Sequence, residues 1–96
     1  MFEVSKISDT VREGRRYASF LTCGNVCSQQ IDIVLDGEFI SEVRFTKGCH
    51  GNTRGVAQLC VGMKPAEVIR RLEGIDCKER GTSCPDQLAR ALRQLL

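Results

Sequence analysis

Residues 31–45, Ile31-Asp32-Ile33-Val34-Leu35-Asp36-Gly37-Glu38-Phe39-Ile40-Ser41-Glu42-Val43-Arg44-Phe45, carry the clearest structural signal in the chain. Ile31, Ile33 and Leu35 alternate with Asp32 and Val34, the period of two that sends successive side chains to opposite faces of a strand. Asp36-Gly37 supplies turn chemistry, and Phe39, Val43 and Phe45 continue on a second strand, so the spacing predicts a β-hairpin.

Upstream of the hairpin, Tyr17, Phe20 and Leu21 start a short apolar segment that runs into Thr22-Cys23-Gly24-Asn25-Val26-Cys27, a glycine-containing loop with two thiols. Residues 1–14 alternate weakly. Val4, Ile7 and Val11 fall near helical spacing and Gly14 is a stop, which leaves a short strand, a loose N-terminal arm or a helix open.

Downstream, Lys47-Gly48-Cys49-His50-Gly51-Asn52 allows a sharp turn, and Asn52 or Thr53 can cap the helix that follows. Val56, Leu59, Cys60 and Met63 then fall at i, i+3, i+4 and i+7, the stripe of a helix facing a sheet, with Cys60 read as a small buried hydrophobe. Pro65 opens a second helix with Val68, Ile69 and Leu72 on its apolar face and Gly74 just past its end. After the loop Ile75-Asp76-Cys77-Lys78-Glu79-Arg80-Gly81 comes a third helix, with Leu88, Leu92, Leu95 and Leu96 facing inward. Strands precede helices throughout, so the fold class is α+β, an antiparallel sheet with helices packed on one face.

The start of the last helix is Thr82-Ser83-Cys84-Pro85-Asp86. Ser83 is a good N-cap, Pro85 is tolerated in the first turn, and Asp86 is spaced to reach back in a capping box. Cys84 therefore lies where free backbone N–H groups and the helix dipole favour an anion, and a thiolate is the form that binds metal or attacks a disulfide.

The chain has 96 residues, of which 42% are hydrophobic and 27% charged, enough for one domain with a modest core. A formal charge of +2, no Trp and one Tyr argue against a nucleic-acid groove. No apolar run is of membrane-spanning length, and the N-terminal segment lacks a signal-peptide core, so the expected setting is cytoplasmic, with no membrane partner. In that setting six cysteines point to metal or redox chemistry rather than to three structural disulfides. Apart from Cys60 they cluster at three loop or helix-start places: Cys23 with Cys27, Cys49, and Cys77 with Cys84. Loops at one end of an antiparallel sheet can converge, and this inventory suits either zinc or an iron-sulfur cluster. His50, the single histidine, could serve as a fourth ligand, a proton carrier or a solvated loop residue. Arg15-Arg16 and Arg70-Arg71 read as solvated surface, and Gly48-x-x-Gly51 lacks the ending of a phosphate loop.

The run from Gly74 through Thr82-Ser83-Cys84-Pro85-Asp86-Gln87-Leu88-Ala89, with Phe45-Thr46-Lys47-Gly48-Cys49-His50-Gly51-Asn52 before it, resembles the TSCPD-domain family. Members of that family occur as small stand-alone proteins and as the C-terminal part of adenosylcobalamin-dependent ribonucleotide reductases. The resemblance covers most of residues 20–96 and implies Cys27, Cys49, Cys77 and Cys84 as functional thiols. It also implies a ribonucleotide reductase or another larger protein as partner. A chain of this size has no room for a radical-generating barrel, so no catalysis is expected from it alone.

A more distant likeness involves Cys23-Gly24-Asn25-Val26, the hairpin, Arg44 to Cys49, Gly62-Met63-Lys64-Pro65 and the final cysteine-led helix. This pattern is similar to iron-sulfur scaffolds of the IscU/NifU type. That likeness implies a three-stranded antiparallel sheet with about three helices on one face, and ligand thiols at Cys23, Cys49 and Cys84. Asn25 stands where such scaffolds carry an acidic residue, and no histidine precedes Cys84. The two resemblances differ over the first ligand, with Cys27 preferred to Cys23. A three-thiol site leaves one position open, which a homodimer sharing one cluster would fill. The competing reading is a thiol-disulfide redox partner of a ribonucleotide reductase, in which Cys84 and Cys49 cycle between dithiol and disulfide.

Overall fold

A computed structural model describes residues 3–24, 26, 28–47, 50–76 and 81–96, with residues 50–52 described as helix backbone. The elements run β1 (Ser5–Arg12), β2 (Arg15–Leu21), β3 (Gln30–Asp36), β4 (Phe39–Thr46), α1 (His50–Cys60), α2 (Pro65–Leu72) and α3 (Cys84–Gln94). The strands form one antiparallel meander in the order β1-β2-β3-β4. Core side chains from all three helices pack with those of the sheet, which bears out the α+β reading.

Among the described residues the sheet has four strands, not the three that the scaffold likeness implied. The additional one is β1, which pairs with β2 from Ser5↔Leu21 to Arg12↔Arg15 through a two-residue turn. Both turn residues, Glu13 (φ 52) and Gly14 (φ 80), take the left-handed backbone that suits the twist of a tight hairpin. Alternation in β1 is weak because almost none of it is buried; Val4, just ahead of it, is the residue that enters the core.

The β3–β4 hairpin forms as expected, with Asp36 paired to Phe39 and Gly37 at φ 63 in the turn. Its register shifts between Val34 and Leu35, since Val34 pairs with Glu42 and Leu35 with Ile40, which leaves Ser41 as the extra residue of a β-bulge. The bulge reverses the facing of the strand start. Ile40 and Val43 are buried, whereas Phe39, grouped by strict alternation with Val43 and Phe45, is half exposed.

Two helix faces also differ from simple periodicity. The buried line of α1 is Thr53, Ala57 and Cys60, spaced i, i+4, i+7, while Leu59 is 78% exposed and Met63 lies beyond the helix end. In α3, Leu88, Leu92 and Leu95 are buried as expected, but Leu96 is 73% exposed. The turn after α1 closes part of the outer edge of β4, because Ile40 N–H donates to Met63 O (2.9 Å) and Gly62 N–H to Ile40 O (2.8 Å). α2 starts at Pro65 with Val68 and Ile69 buried, and Gly74 follows its end at φ 86.

At the end of the molecule where α3 finishes, Arg16 makes a two-pronged pair with Asp9 (2.8 and 2.7 Å) and donates through Nη1 to Leu95 O (2.8 Å). Arg16 is thus a tie between β1, β2 and the C-terminus of α3 rather than the solvated surface residue its sequence context suggested. No helix among the described residues is long and apolar enough to cross a membrane.

The corrected faces can be checked by urea unfolding. Leu92→Ala should cost about 2–5 kcal/mol through lost burial and a cavity. Leu59→Ala, which removes an exposed side chain, should stay within about 0.5 kcal/mol.

Candidate functional site

The N-terminus of α3 is built by its own sequence. Ser83 is the N-cap in extended backbone, its Oγ accepting from Asp86 N–H (3.1 Å) and donating to Ile75 O (2.6 Å). Cys84 and Pro85 open the helix, and Cys84 is a free thiol only 8% exposed. The Ser28 hydroxyl donates to Cys84 Sγ at 3.2 Å, and both residues are buried.

Asp86 does not reach back to the N-cap as a capping box would. Its carboxylate accepts from Thr82 Oγ1 (2.6 Å), Gly74 N–H (2.7 Å) and Arg90 Nε (2.9 Å), so it ties the loop before α3 to the helix. Burial alone would raise the Asp86 pKa, but the bonds from Thr82, Gly74 and Arg90 outweigh it and hold the carboxyl below its usual range.

Gln87 joins a second loop to this turn. Its Oε1 accepts from Cys23 N–H (3.0 Å) and its Nε2 donates to Thr82 Oγ1 (3.0 Å), with the side chain fully buried. The Cys23 loop is itself closed by Thr22 N–H to Gln29 O (3.1 Å) and Thr22 Oγ1 to Ser28 O (2.7 Å).

Sheet register sets where these pieces meet. Leu21 pairs with Gln30 and Gln30 with Thr46, while Gln29 N–H donates to Thr46 O, so the β2–β3 loop and the β4–α1 junction share one end of the sheet. Gln87 and Ser28 bring the start of α3 to that same end. Ahead of α3, Ser83 Oγ donates to Ile75 O and Gly81 N–H to Asp76 Oδ1 (2.6 Å).

Of the five candidate thiols, Cys84 and the half-buried Cys23 are described, and both belong to this end. Cys27, Cys49 and Cys77 lie outside the described residues; of the described residues beside them, Ser28 and Asp76 belong to this end. Among the described residues no three His, Cys, Asp or Glu side chains form a group that could hold a metal ion. Cys60 stands apart in the core, 3% exposed, and burial pushes its thiol pKa up, as its reading as a hydrophobe anticipated. Sequence reasoning missed Ser28, Thr82 and Gln87 as partners of the site. Thr82 and Gln87 sit in the quoted motif, whereas Ser28 carried no signal beyond its place after Cys27.

Fold and site define a small α+β domain that presents a buried, hydrogen-bonded thiol at the first turn of its last helix. The TSCPD domain matches residues 7–96, nearly the whole chain, and the protein belongs to the TSCPD-domain family. TSCPD domains are associated with ribonucleotide reductases. Neither curated proteins nor solved structures give a match, so the likeness to IscU/NifU scaffolds rests on sequence positions alone.

Asp86 gives this end a defined acid sensitivity. A carboxyl whose folded pKa is depressed stabilises the fold above its unfolded value of about 3.9, and that stability is lost as pH falls through the folded pKa. Urea midpoints measured between neutral pH and pH 2 should therefore fall more steeply below about pH 4 for the native chain than for Asp86→Asn. At neutral pH Asp86→Asn should itself cost about 1–3 kcal/mol.

Proposed function

We propose that this end of the sheet is a thiolate metal site, in which Cys27, Cys49, Cys77 and Cys84 bind zinc or an iron-sulfur cluster and Cys23 is the alternative first ligand. The observation that supports it most is the placement of the start of α3, the Cys23 loop and the described residues beside Cys27 and Cys77 at one end of the fold. The donor chemistry fits. Cys84 is a soft ligand at a helix N-terminus, with a hydroxyl donor already against its sulfur.

Such a metal supplies a cross-link between loops that a core of this size does little to hold, and a cluster adds the capacity to carry an electron. The chain's own residues do the rest. Ser83 and Asp86 fix the helix start, Gln87 holds the Cys23 loop against it, and burial excludes water from Cys84. The domain works beside a larger protein, with ribonucleotide reductase or iron-sulfur metabolism as its context, in the reducing cytoplasm that keeps ligand thiols free. The redox-partner reading requires a thiol that another protein's disulfide can reach, and the burial of Cys84 weighs against it.

The test is to purify the protein without oxygen and measure zinc, iron and acid-labile sulfide per chain, for the native sequence and for Cys→Ser at positions 23, 27, 49, 60, 77 and 84. The expected result is about one zinc or one cluster per chain. It should be lost with Cys27, Cys49, Cys77 or Cys84 and kept with Cys60→Ser. A metal-free chain in which two of these cysteines join reversibly on oxidation would sink the metal site in favour of thiol exchange.

A further inference from the structure

We infer that Ser28 is a positioning residue for the Cys84 sulfur, its hydroxyl setting how strongly that sulfur donates to a bound soft cation. The inference rests on the reading of this end as a metal site. Three observations carry it. Ser28 is 2% exposed, and among the described residues its hydroxyl reaches only Cys84 Sγ, at 3.2 Å. A buried hydroxyl without a partner costs about 1–3 kcal/mol, so a position that required only filling would suit Ala better than Ser. The backbone around Ser28 is pinned as well. Its carbonyl accepts from Thr22 Oγ1, and the next N–H, from Gln29, is held by Thr46 O (2.8 Å), so the hydroxyl is aimed by two other strands' ends rather than by its own rotamer alone.

A hydrogen bond to a metal-bound sulfur draws electron density from it. In a metal site such an outer donor orients its ligand and tunes both affinity and potential, and removing it changes metal affinity by about 10–100-fold. No bond is made or broken; the hydroxyl acts through the sulfur it touches.

Cobalt(II) added to the reduced protein under argon reads this directly, through the sulfur-to-cobalt charge-transfer band and the dissociation constant. The variants are Ser28→Ala, Ser28→Thr and Ser28→Val. Ala and Val should move the band to lower energy, because the sulfur keeps more of its density, and weaken binding by about tenfold or more, because the sulfur loses the contact that orients it, whereas Thr, which keeps the hydroxyl, should hold both near the native values. If Ser28→Ala does not fold, the Thr and Val pair, nearly equal in shape and differing in the hydroxyl, decides the matter. A native band that Ala and Val leave unmoved, or a Thr variant that behaves like Ala, overturns the role of Ser28 while the metal site stands. A native chain that gives no cobalt-thiolate band overturns the metal reading itself, and the role of Ser28 falls with it.

Discussion

The Asp86 carboxylate is the constraint on which the organised end of this domain depends. It is 1% exposed and accepts from Thr82, Gly74 and Arg90, while its own N–H is spent on the Ser83 cap. A buried charge is tolerated only when paired and fully hydrogen-bonded, and here each bond comes from a different stretch of chain. Gly74 belongs to the exit from α2, Thr82 to the loop before α3 and Arg90 to the next turn of the helix. One ionised side chain thereby fixes the angle at which α3 enters the fold and, with it, the direction in which Cys84 presents its sulfur. No buried side-chain nitrogen or oxygen among the described residues lacks a partner, so the polar cluster replaces the water that its groups give up.

How much of this is legible in the sequence depends on whether the cause is local. The hairpin at Ile31–Phe45, the cap at Ser83, the start at Pro65 and the stop at Gly74 all follow from residues within a few positions of one another, and all are present. The bulge at Ser41 is a matter of pairing between strands, and nothing within β4 announces that Ile40 rather than Phe39 will face the core. β1 was obscured for a related reason. An edge strand with exposed side chains shows no period-two signal, and its place in the sheet comes from the Glu13-Gly14 turn and from Arg16 gripping Asp9. On α1 the apolar count favoured Leu59. Packing instead buries Thr53 and Ala57, residues small enough to lie against β4.

The site divides along the same line. Cys84 at a helix start could be read directly, because the cap, the proline and the thiol are contiguous. The partners that make it a site come from 56 and 64 positions away along the chain, Ser28 touching Sγ and Cys23 N–H reaching Gln87. Asp86 shows how a local rule can name the right residue and the wrong bond. Its spacing from Ser83 fits a capping box, yet three donors elsewhere compete for the carboxylate, and the cap is left to the Ser83 hydroxyl alone.

The two described cysteines of near-equal burial show why composition cannot assign thiol chemistry. Cys60 and Cys84 are 3% and 8% exposed, the one the last residue of α1 and the other the first of α3. Around Cys60 lie Val56, Leu59, Met63, Val68 and Leu72, an apolar groove of about 300 Å³ in which burial raises the cost of the thiolate. Around Cys84 the chain places a hydroxyl, a helix start and a network of satisfied polar groups. Burial in apolar surroundings turns a cysteine into a small hydrophobe, whereas burial among aimed donors preserves its capacity as an acceptor while keeping water away. The difference is set by what converges on each sulfur from distant parts of the chain, and the antiparallel meander delivers that convergence at Cys84 by returning the β2–β3 loop and the β4–α1 junction to a single end of the sheet.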